Sequence, residues 1–375
     1  MIMTGVMAAT AAVIREPGGD FLIEEIDVEA PRAGEVRVRI AGVGLCHTDL
    51  IFRDQFAPFA LPGVLGHEGA GVIEAVGEGV EGLSIGDEVV IGFSSCGSCP
   101  RCDEALPSYC QSFVPLNYAG VRLEDGSTAY SKDGENITSH FFGQSSFSAL
   151  TVTRASNVVK VDSTKVALEL LGPLGCGFQT GAGGVINSLA CPAGSSIAVF
   201  GGGPVGLAAV MGAVIQGCST IILVEPIAAR REIARKLGAT HVIDPAAVGD
   251  LAEALRAIVP LGLDFAFDSS GVVPVIEAAL ASLGSHGALG LVGVPAQKDA
   301  AISVNIAALM TPGHRIIGII EGDSDPQSFI PELIAHHAAG RFPFDTLIKT
   351  FPLAQINEAL AAQARGDCIK VVLVP

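Results

Sequence analysis

The stretch SSIAVFGGGPVGLAAVMGAVIQGCSTIILVE, residues 195–225, decides how the second half of this chain is expected to fold. It begins with an apolar run, passes through three glycines and an Ala-, Val- and Gly-rich segment, and ends in a second apolar run. Short apolar runs bounded by turn residues are typical of buried parallel strands, and the segment between them has the length of a helix. The stretch therefore predicts a strand, a glycine-rich turn, a helix and a second strand parallel to the first.

The glycines of this turn follow the pattern G-x-G-x-x-G, with Gly201, Gly203 and Gly206 at its fixed positions. In a turn from strand to helix, the first glycine permits the tight bend and the second lets the backbone approach a pyrophosphate. The third allows the helix to pack closely on the strand, and the helix amino terminus adds partial positive charge. The pattern thus predicts a dinucleotide site that includes Pro204 and Val205; a glycine-rich turn without a ligand is the alternative.

Glu225 ends the second apolar run, about 20 residues after the glycine turn. A carboxylate at this place hydrogen-bonds the hydroxyls of the adenosine ribose and repels a 2′-phosphate, which favours NAD over NADP. Arg230 follows closely and offers a second contact to the ribose or to a phosphate. A surface residue at a strand end is the alternative interpretation of Glu225.

Strand-like and helix-like segments alternate about six times between residues 195 and 320, which predicts a doubly wound parallel sheet. The first half of the chain contains short β-branched runs instead. One of them, EVRVRIAGVGLC (35–46), alternates with period two, as a half-buried strand does. We expect an α/β protein with a β-rich catalytic domain at residues 1–178 and 322–375. A dinucleotide-binding domain is expected at 179–321.

The composition narrows the classes of partner. The 375 residues are 49% hydrophobic and 16% charged, with a net charge of −17. A chain this acidic is a poor match for nucleic acid or an anionic membrane surface, so neither is expected as a partner. The apolar amino terminus lacks the positively charged start of a signal peptide. We therefore expect a cytoplasmic protein whose cysteines are reduced.

Four of the nine cysteines lie in CGSCPRCDEALPSYC, residues 96–110, which we call the cysteine lobe. The spacing Cys96-x2-Cys99-x2-Cys102-x7-Cys110 suits four thiolates around one zinc ion. Four protein ligands leave no open position for water or substrate, so this zinc is expected to be structural. A disulfide pair and an iron–sulfur cluster are the alternatives.

A second set of metal-binding residue types is dispersed along the chain. GLCHTDL contains Cys46, His47, Thr48 and Asp49; GHEGAG contains His67 and Glu68; and LGCGFQTG contains Cys176. One cysteine or histidine alone in a strand-rich domain is more often a core or surface residue than a ligand. The case for a metal site therefore rests on the motifs together.

Taken together, these motifs resemble the zinc-dependent alcohol dehydrogenases of the medium-chain dehydrogenase/reductase superfamily, along essentially the whole chain. GHEGAGVIEAVGEGV (66–80) matches the signature G-H-E-x2-G-x5-G-x2-V of that family. GLCHTDL, the cysteine lobe, LGCGFQTG and GGGPVG follow in the family's order. Within the family the chain looks most like the benzyl- or aryl-alcohol dehydrogenases, on the stretches FSSCGSC, FFGQSSFS, EGDSDPQSFIPELI and GRFPFD.

The resemblance implies a GroES-like catalytic domain, a Rossmann domain, NAD, and two zinc ions per chain, one catalytic and one structural. The implied ligands of the catalytic zinc are Cys46, His67 and Cys176, with Glu68 beside the metal and Asp49 bonded to His67. Thr48 is implied at the substrate oxygen. The remaining implied contacts are Thr180, Val205 and Val294 at the nicotinamide, His47 and Lys370 at the pyrophosphate, and Phe93, Phe141 or Phe142 in the substrate pocket, where plain core packing is the alternative.

The activity implied is the reversible, NAD-dependent oxidation of a primary alcohol to an aldehyde. Zinc lowers the pKa of the bound alcohol, Thr48 passes its proton on, and hydride moves from the resulting alkoxide to the nicotinamide. The sequence departs from the family at Ile51, where some members end the proton relay on a histidine. The relay is then expected to end on His47, another group or water.

Three other functions fit the sequence less well. A zinc-free quinone or enoyl reductase on the same scaffold lacks the three ligands, and a formaldehyde–glutathione type dehydrogenase needs basic groups in the pocket. A non-catalytic NAD-binding protein would hold about one zinc per chain. The apolar GALGLVG (287–293) and the segment 301–320 suggest a sheet extended across a two-fold axis, so a homodimer or homotetramer is expected.

Overall fold

The computed structural model describes residues 5–375 and contains eighteen strands and eleven α-helices in that range. The strands are β1 Met7–Ile14, β2 Leu22–Val28, β3 Glu35–Leu45, β4 Gly63–Val64, β5 Gly69–Val76, β6 Glu88–Ile91, β7 Tyr130–Lys132, β8 Glu135–Ile137, β9 Leu150–Arg154, β10 Val158–Lys160, β11 Ser196–Phe200, β12 Thr220–Val224, β13 His241–Ile243, β14 Leu263–Asp268, β15 Leu283–Leu291, β16 Arg315–Gly318, β17 Ile348–Pro352 and β18 Lys370–Val374. The helices are α1 His47–Arg53, α2 Pro100–Asp103, α3 Phe113–Tyr118, α4 Gly177–Gly183, α5 Pro204–Ile215, α6 Ala228–Lys236, α7 Leu251–Ile258, α8 Val273–Ala281, α9 Ile306–Met310, α10 Pro326–Ala338 and α11 Ile356–Ala364.

Two compact units divide the chain. The first comprises the residues up to Cys176 together with Asp325–Leu333 and Asp345–Pro375, and the second comprises Gly177–Ser324 and Ile334–Phe344. The sequence prediction placed all of 322–375 in the first domain. The structure instead assigns Ile334–Phe344 to the second unit, where the ring of Phe344 packs on that of Phe178 with centroids 5.4 Å apart. Apolar contacts at long range in the sequence leave no periodic signal, so this excursion was not predicted.

The first unit is built on two sheets. One has the strand order β4-β1-β2-β7-β8, and the other has the order β10-β6-β5-β3-β18-β17 with β9 also paired to β3. β3 was predicted as a half-buried strand, but most of it is buried, and Arg37 is fully covered. The reason is that β5, β9 and β18 all pair with β3, which places it at the centre of the sheet.

The second unit contains one parallel sheet, with the order β13-β12-β11-β14-β15-β16. Its central strand β11 pairs with β12 on one side and β14 on the other, and all five of its residues are buried. A strand covered on both faces has no reason to alternate, which explains the continuous apolar run SIAVF. This strand order is the doubly wound arrangement that binds dinucleotides where the order reverses, here beside β11.

Among the residues the structure describes, no helix is both long enough and apolar enough to cross a bilayer.

Candidate active site

Three turns of the first unit bring the dispersed motifs together. Cys46 immediately precedes α1, His67 lies in the turn between β4 and β5, and Cys176 follows a short 3-10 turn. The ligand atoms of these three residues and of Glu68 all lie within 4.8 Å of one another. His67 and Cys176 are buried and Cys46 is half-buried, so the group is largely withdrawn from water.

Asp49 holds two of these residues in place. Its carboxylate is fully buried, and it accepts hydrogen bonds from the backbone N–H of Cys46 at 2.9 Å and of Gly66 at 3.1 Å. The Nδ1 atom of His67 lies 2.9 Å from the same carboxylate. Because an ionised carboxylate only accepts, Nδ1 carries the proton and Nε2 keeps its lone pair for a metal.

The chemistry of these donors fits a thiophilic divalent cation. His67 Nε2 is buried and, within the described chain, has no hydrogen-bond partner, as expected of an atom that binds a metal. Hydrogen bonding to Cys176 is the largest of the influences that hold the pKa of Cys46 well below its usual value, and the charge of Lys370 acts in the same direction, which favours the thiolate. Two thiolates and one imidazole are a donor set that zinc accepts with a fourth position open.

Glu68 and Lys370 form a buried ion pair beside this group. The Lys370 ammonium lies 2.5 Å from a Glu68 carboxylate oxygen and donates a hydrogen bond to the carbonyl of Leu45 at 3.1 Å. A side chain at Gly44 would overlap the Glu68 carboxylate, so glycine is required there. The family resemblance implied that Lys370 contacts a pyrophosphate. In the structure only 1% of the surface of Lys370 is exposed and its charge is matched by Glu68, and the contact with a pyrophosphate stays a prediction.

The predicted proton-relay residues lie at the start of α1. Thr48 Oγ1 is 3.7 Å from Cys46 Sγ, so this hydroxyl lies beside one metal-binding thiol. His47 is exposed, and Ile51 is half-buried on the same helix. Asp49 on the same helix is already bonded to His67, so the end of a proton relay at His47 stays a prediction.

Aromatic rings pack around His67. The ring of Phe142 stacks on the imidazole with centroids 4.6 Å apart, and Phe141 meets it edge-on at 5.5 Å. Phe93 packs against Phe113, which in turn contacts Phe142. The three predicted pocket phenylalanines therefore lie in one apolar cluster beside the metal-binding group, although Phe141 itself is completely buried.

Gln144 belongs to this site and was missed by the sequence analysis. It lies two residues after Phe142 and is fully buried, with its side-chain amide bonded to the backbone of His67 and Gly69. The motif FFGQSSFS was used to recognise a subgroup and to predict Phe141 or Phe142 in the substrate pocket, but no role was assigned to its glutamine. A buried glutamine in an otherwise apolar stretch was the available signal, because such an amide needs several partners.

The cysteine lobe is a second, separate group of side chains that could hold a metal ion. All four Sγ atoms lie within 4.8 Å of one another, with Cys96–Cys102 at 3.9 Å and Cys99–Cys102 at 3.6 Å. Four ligands at tetrahedral zinc, each about 2.3 Å from the metal, are about 3.8 Å apart. The observed separations match that geometry and are far longer than a disulfide bond of about 2.0 Å. Backbone hydrogen bonding near Gln111 lowers the pKa of Cys99 to about 6, which favours its thiolate.

The glycine-rich turn of the second unit has the expected geometry. Gly201 has a φ of +100°, which favours glycine, and a side chain at Gly206 would overlap the carbonyl of Gly201. A side chain at Gly203 would meet nothing within 4 Å, so an open space lies in front of the turn where α5 begins. This cradle suits the pyrophosphate of a dinucleotide.

Glu225 is positioned by the same turn. One carboxylate oxygen accepts from the backbone N–H of Gly202 at 2.6 Å, and the other accepts from that of Ile227 at 2.8 Å. The guanidinium of Arg230 lies 4.0 Å from the Glu225 carboxylate, which is close to this site but too far for a hydrogen bond. The remaining predicted contacts of the second unit are Thr180 on α4, whose hydroxyl is 3.4 Å from Glu321, Val205 on α5, and the half-exposed Val294 after β15.

Comparison with known proteins agrees with this architecture. The family model described as "Alcohol dehydrogenase GroES-like domain" matches residues 32–163, and the one described as "Zinc-binding dehydrogenase" matches residues 204–337. The predicted fold class, a GroES-like domain with a doubly wound dinucleotide-binding domain, is thereby confirmed.

Similarity extends over whole proteins. A geraniol dehydrogenase from Castellaniella defragrans is 48% identical over 98% of this chain and 98% of its own length. The crystal structure of an alcohol dehydrogenase zinc-binding domain protein from Burkholderia ambifaria has a TM-score of 0.96 at 48% identity, covering 99% of this chain and 100% of its own. That of benzyl alcohol dehydrogenase from Acinetobacter calcoaceticus has a TM-score of 0.94 at 40% identity, covering 98% of this chain and 99% of its own.

Proposed function

The chain belongs to the zinc-dependent alcohol dehydrogenases of the medium-chain dehydrogenase/reductase superfamily, and we propose that it oxidises bulky apolar primary alcohols, benzylic or allylic, to aldehydes with NAD. The observation that carries the proposal is the meeting of Cys46, His67 and Cys176 next to an aromatic cluster. Two thiolates and an imidazole leave one position open, and apolar rings beside it favour an apolar alcohol.

The residues of the first unit have distinct roles in this proposal. Cys46, His67 and Cys176 hold the catalytic zinc, which when bound lowers the pKa of an alcohol. Thr48 accepts the alcohol's proton at Oγ1 and passes its own onward, to His47 or to water. Asp49 keeps the proton of His67 on Nδ1, so that Nε2 stays a ligand. Lys370 balances the charge of Glu68 within the buried group.

The second unit supplies the hydride acceptor in this proposal. The glycine-rich turn holds the pyrophosphate, and Glu225 accepts hydrogen bonds from the adenosine ribose. Hydrogen bonds from the backbone of Gly202 and Ile227 hold its carboxylate in one orientation, so the negative charge would repel a 2′-phosphate. This supports NAD over NADP. Arg230 contacts the ribose, and Thr180, Val205 and Val294 lie against the nicotinamide.

The substrate class rests on chemistry and on similarity. Phe142 stacks on His67, and Phe93 belongs to the same aromatic cluster through Phe113, so apolar rings near His67 favour benzylic or allylic groups over ethyl ones. Proteins similar to this chain are a geraniol dehydrogenase and a benzyl alcohol dehydrogenase, whose names denote alcohols of these two kinds.

A panel of substrates tests the proposal. We expect kcat/KM for benzyl alcohol and geraniol with NAD to exceed that for ethanol by roughly a hundredfold or more, because several buried methylenes each contribute about 0.8 kcal/mol. NADP is expected to be at least tenfold poorer than NAD. Equal rates with ethanol, or preference for S-(hydroxymethyl)glutathione, would overturn the proposed substrate class.

We further propose that the chain forms a homodimer or homotetramer through the second unit. β16 is one edge of the parallel sheet, and the side chains of Ile306 and Met310 on α9 nearby are 80% and 71% exposed. An unpaired strand edge beside exposed apolar residues suits a second copy of this chain. Light scattering is expected to give a dimer or tetramer, and the variant I306E/M310E is expected to shift it towards the monomer. A monomeric native protein would contradict this.

A further inference from the structure

The amide of Gln144 links three segments of the first unit. Its Oε1 accepts hydrogen bonds from the backbone N–H of Gly69 at 3.0 Å and from the hydroxyl of Ser146 at 2.5 Å. Its Nε2 donates to the carbonyl of His67 at 2.9 Å and lies 3.2 Å and 3.4 Å from those of Ile91 and Gly92. The side chain is fully buried, so both ends of the amide are satisfied by protein groups alone.

These bonds enclose the turn that carries the metal-binding imidazole. The side-chain amide of Gln144 hydrogen-bonds the carbonyl of His67 and the N–H of Gly69, the two backbone groups on either side of Glu68. Two backbone hydrogen bonds hold the same turn. The N–H of Ser146 donates to the carbonyl of Gly66 at 2.8 Å, and the N–H of Phe147 donates to the carbonyl of Leu65 at 3.0 Å. The carbonyls of Ile91 and Gly92 at the end of β6 provide the fixed side of the link.

The backbone of Gly69 lies very close to the side chains of Ser146 and Gln144. A side chain at Gly69 would overlap the hydroxyl of Ser146 and lie 3.0 Å from Gln144 Oε1, so only glycine lets the turn reach the amide. The carbonyl of Gln144 itself accepts from the hydroxyl of Thr151 on β9. Phe142, two residues earlier, has a left-handed backbone (φ 49°) that turns its ring onto His67.

We propose that Gln144 is a positioning residue of the metal site, because its amide fixes the backbone around His67 against the end of β6 and thereby aims Nε2 at the metal. The inference rests on the proposed function, since the aim of Nε2 matters only if these residues bind a metal. Asp49 sets the rotation of the imidazole and Gln144 sets the position of the backbone that carries it. Asp49 also holds the backbone before His67 through Gly66, whereas Gln144 holds the backbone at His67 and after it, at Gly69.

The test is made on the holoenzyme with cobalt(II) in place of zinc, because cobalt–thiolate and cobalt–imidazole coordination absorbs visible light. Gln144→Met keeps the volume and removes every hydrogen bond of the amide. We expect its visible bands to shift, dissociation of the metal from the His67 site to quicken 10–100-fold, and kcat for benzyl alcohol to fall 10–100-fold. KM is expected to change less than about threefold. Metal in the cysteine lobe serves as the internal reference and is expected to stay bound.

Gln144→Glu is the second variant: because its carboxyl is buried and faces three carbonyls, it is expected to be protonated, so one oxygen still accepts from Gly69 and the other donates a single O–H to His67. We expect it to fold even if the methionine variant does not, with a smaller change in the same direction. The matched control is Asn117→Leu. Asn117 is another fully buried amide of this unit, bonded to the backbone of Ser94 and Phe113 but not to the His67 turn.

The control is expected to lose stability while the cobalt bands of the His67 site and its metal dissociation rate stay unchanged. If both Gln144 variants keep native bands and dissociation rates, or if Asn117→Leu alters them equally, the positioning role is wrong. A native protein that binds cobalt at Cys46, His67 and Cys176 and oxidises alcohols would in that case leave the proposed function standing. A native protein that shows no such cobalt bands would remove the proposed function itself.

Discussion

At the scale of single residues, the carboxylate of Asp49 joins Cys46 and His67, two predicted ligands that are distant in the sequence. One buried carboxylate takes hydrogen bonds from the backbone before α1, from the backbone before His67 and from His67 itself. The two ligands are therefore fixed relative to each other before any metal arrives. Such preorganisation reduces the cost of binding, because the ligands lose little freedom when the metal binds.

Cys46→Ser tests the assigned metal ligand most simply. An alcohol is a poor zinc ligand compared with a thiolate, so the Lewis-acid contribution of several kcal/mol is lost and turnover is expected to fall roughly a thousandfold. Far-UV circular dichroism is expected to stay native, because the segment remains held by Asp49. Cys218→Ser, a half-buried cysteine of the second unit, is the control and is expected to keep full activity. A Cys46→Ser variant with native turnover would exclude the assignment.

His140 predicts a pH dependence of stability. Burial, followed by the charge of Arg122, lowers its pKa from 6.5 to about 4. The folded state therefore binds fewer protons than the unfolded state between these values, so stability is present above pH 6.5 and is lost as the pH falls towards 4. By pH 5 the loss attributable to this group is about 2 kcal/mol.

His140→Asn removes this titration and suits the left-handed backbone of the site (φ 61°). Denaturant unfolding at pH 7 and pH 5 is expected to show a smaller drop for the variant than for the native chain. His241→Asn, an exposed histidine of the second unit, is the control and is expected to behave like the native protein. Parallel losses in all three proteins would show that other groups govern acid stability.

Glu225 predicts cofactor choice. Glu225→Ser removes the charge that opposes a 2′-phosphate and leaves Arg230 free to attract one, so the ratio of kcat/KM for NADP to that for NAD is expected to rise at least tenfold. Glu232→Gln changes the net charge of the neighbouring helix by the same amount at an exposed position. Steady-state kinetics is expected to show no change in preference for that control. If Glu225→Ser and Glu232→Gln shift the NADP-to-NAD ratio equally, net charge sets the preference and Glu225 has no specific role.

At the scale of elements, the cysteine lobe is separable from the His67 site. Cys99→Ser breaks a closed four-thiolate group, so the zinc content is expected to fall from about two to about one per chain. A loss of roughly 3 kcal/mol of stability would lower the melting temperature by about 5–10 °C. Asp103→Asn, at an exposed position of the lobe, is the control. A Cys99→Ser variant that keeps two zinc ions and the native melting temperature would disprove the structural role.

The elements of the second unit were predictable because each one is encoded locally. The run SIAVF forms β11, the glycines form the turn before α5, and Glu225 directly follows β12. The loop that carries Phe142 and Gln144 was not predictable in the same way. His140, Phe142, Gly143 and Ser145 all have left-handed backbone conformations, although three of them are not glycine. Contacts with β4, β6 and His67 impose these conformations, and such contacts leave no local signal.

At the scale of the whole molecule, the sequence supported a two-unit fold but did not indicate two contacts that are distant in sequence. Ile334–Phe344 belongs to the second unit, because its phenylalanines pack on Phe178. Lys370 is buried against Glu68, a partner that the sequence did not indicate. In both cases the partner lies more than a hundred residues away, and neither hydrophobic periodicity nor a motif reports which distant side chain a residue will meet.

The most direct test of the central claim follows zinc content and turnover during removal of metal by a chelator such as dipicolinate. The open three-ligand site is expected to lose its ion before the closed cysteine lobe. Oxidation of benzyl alcohol by NAD is therefore predicted to fall in proportion as zinc declines from about two to about one per chain, and to return when zinc is restored. Turnover that persists with one zinc left in the cysteine lobe would contradict a catalytic metal at Cys46, His67 and Cys176.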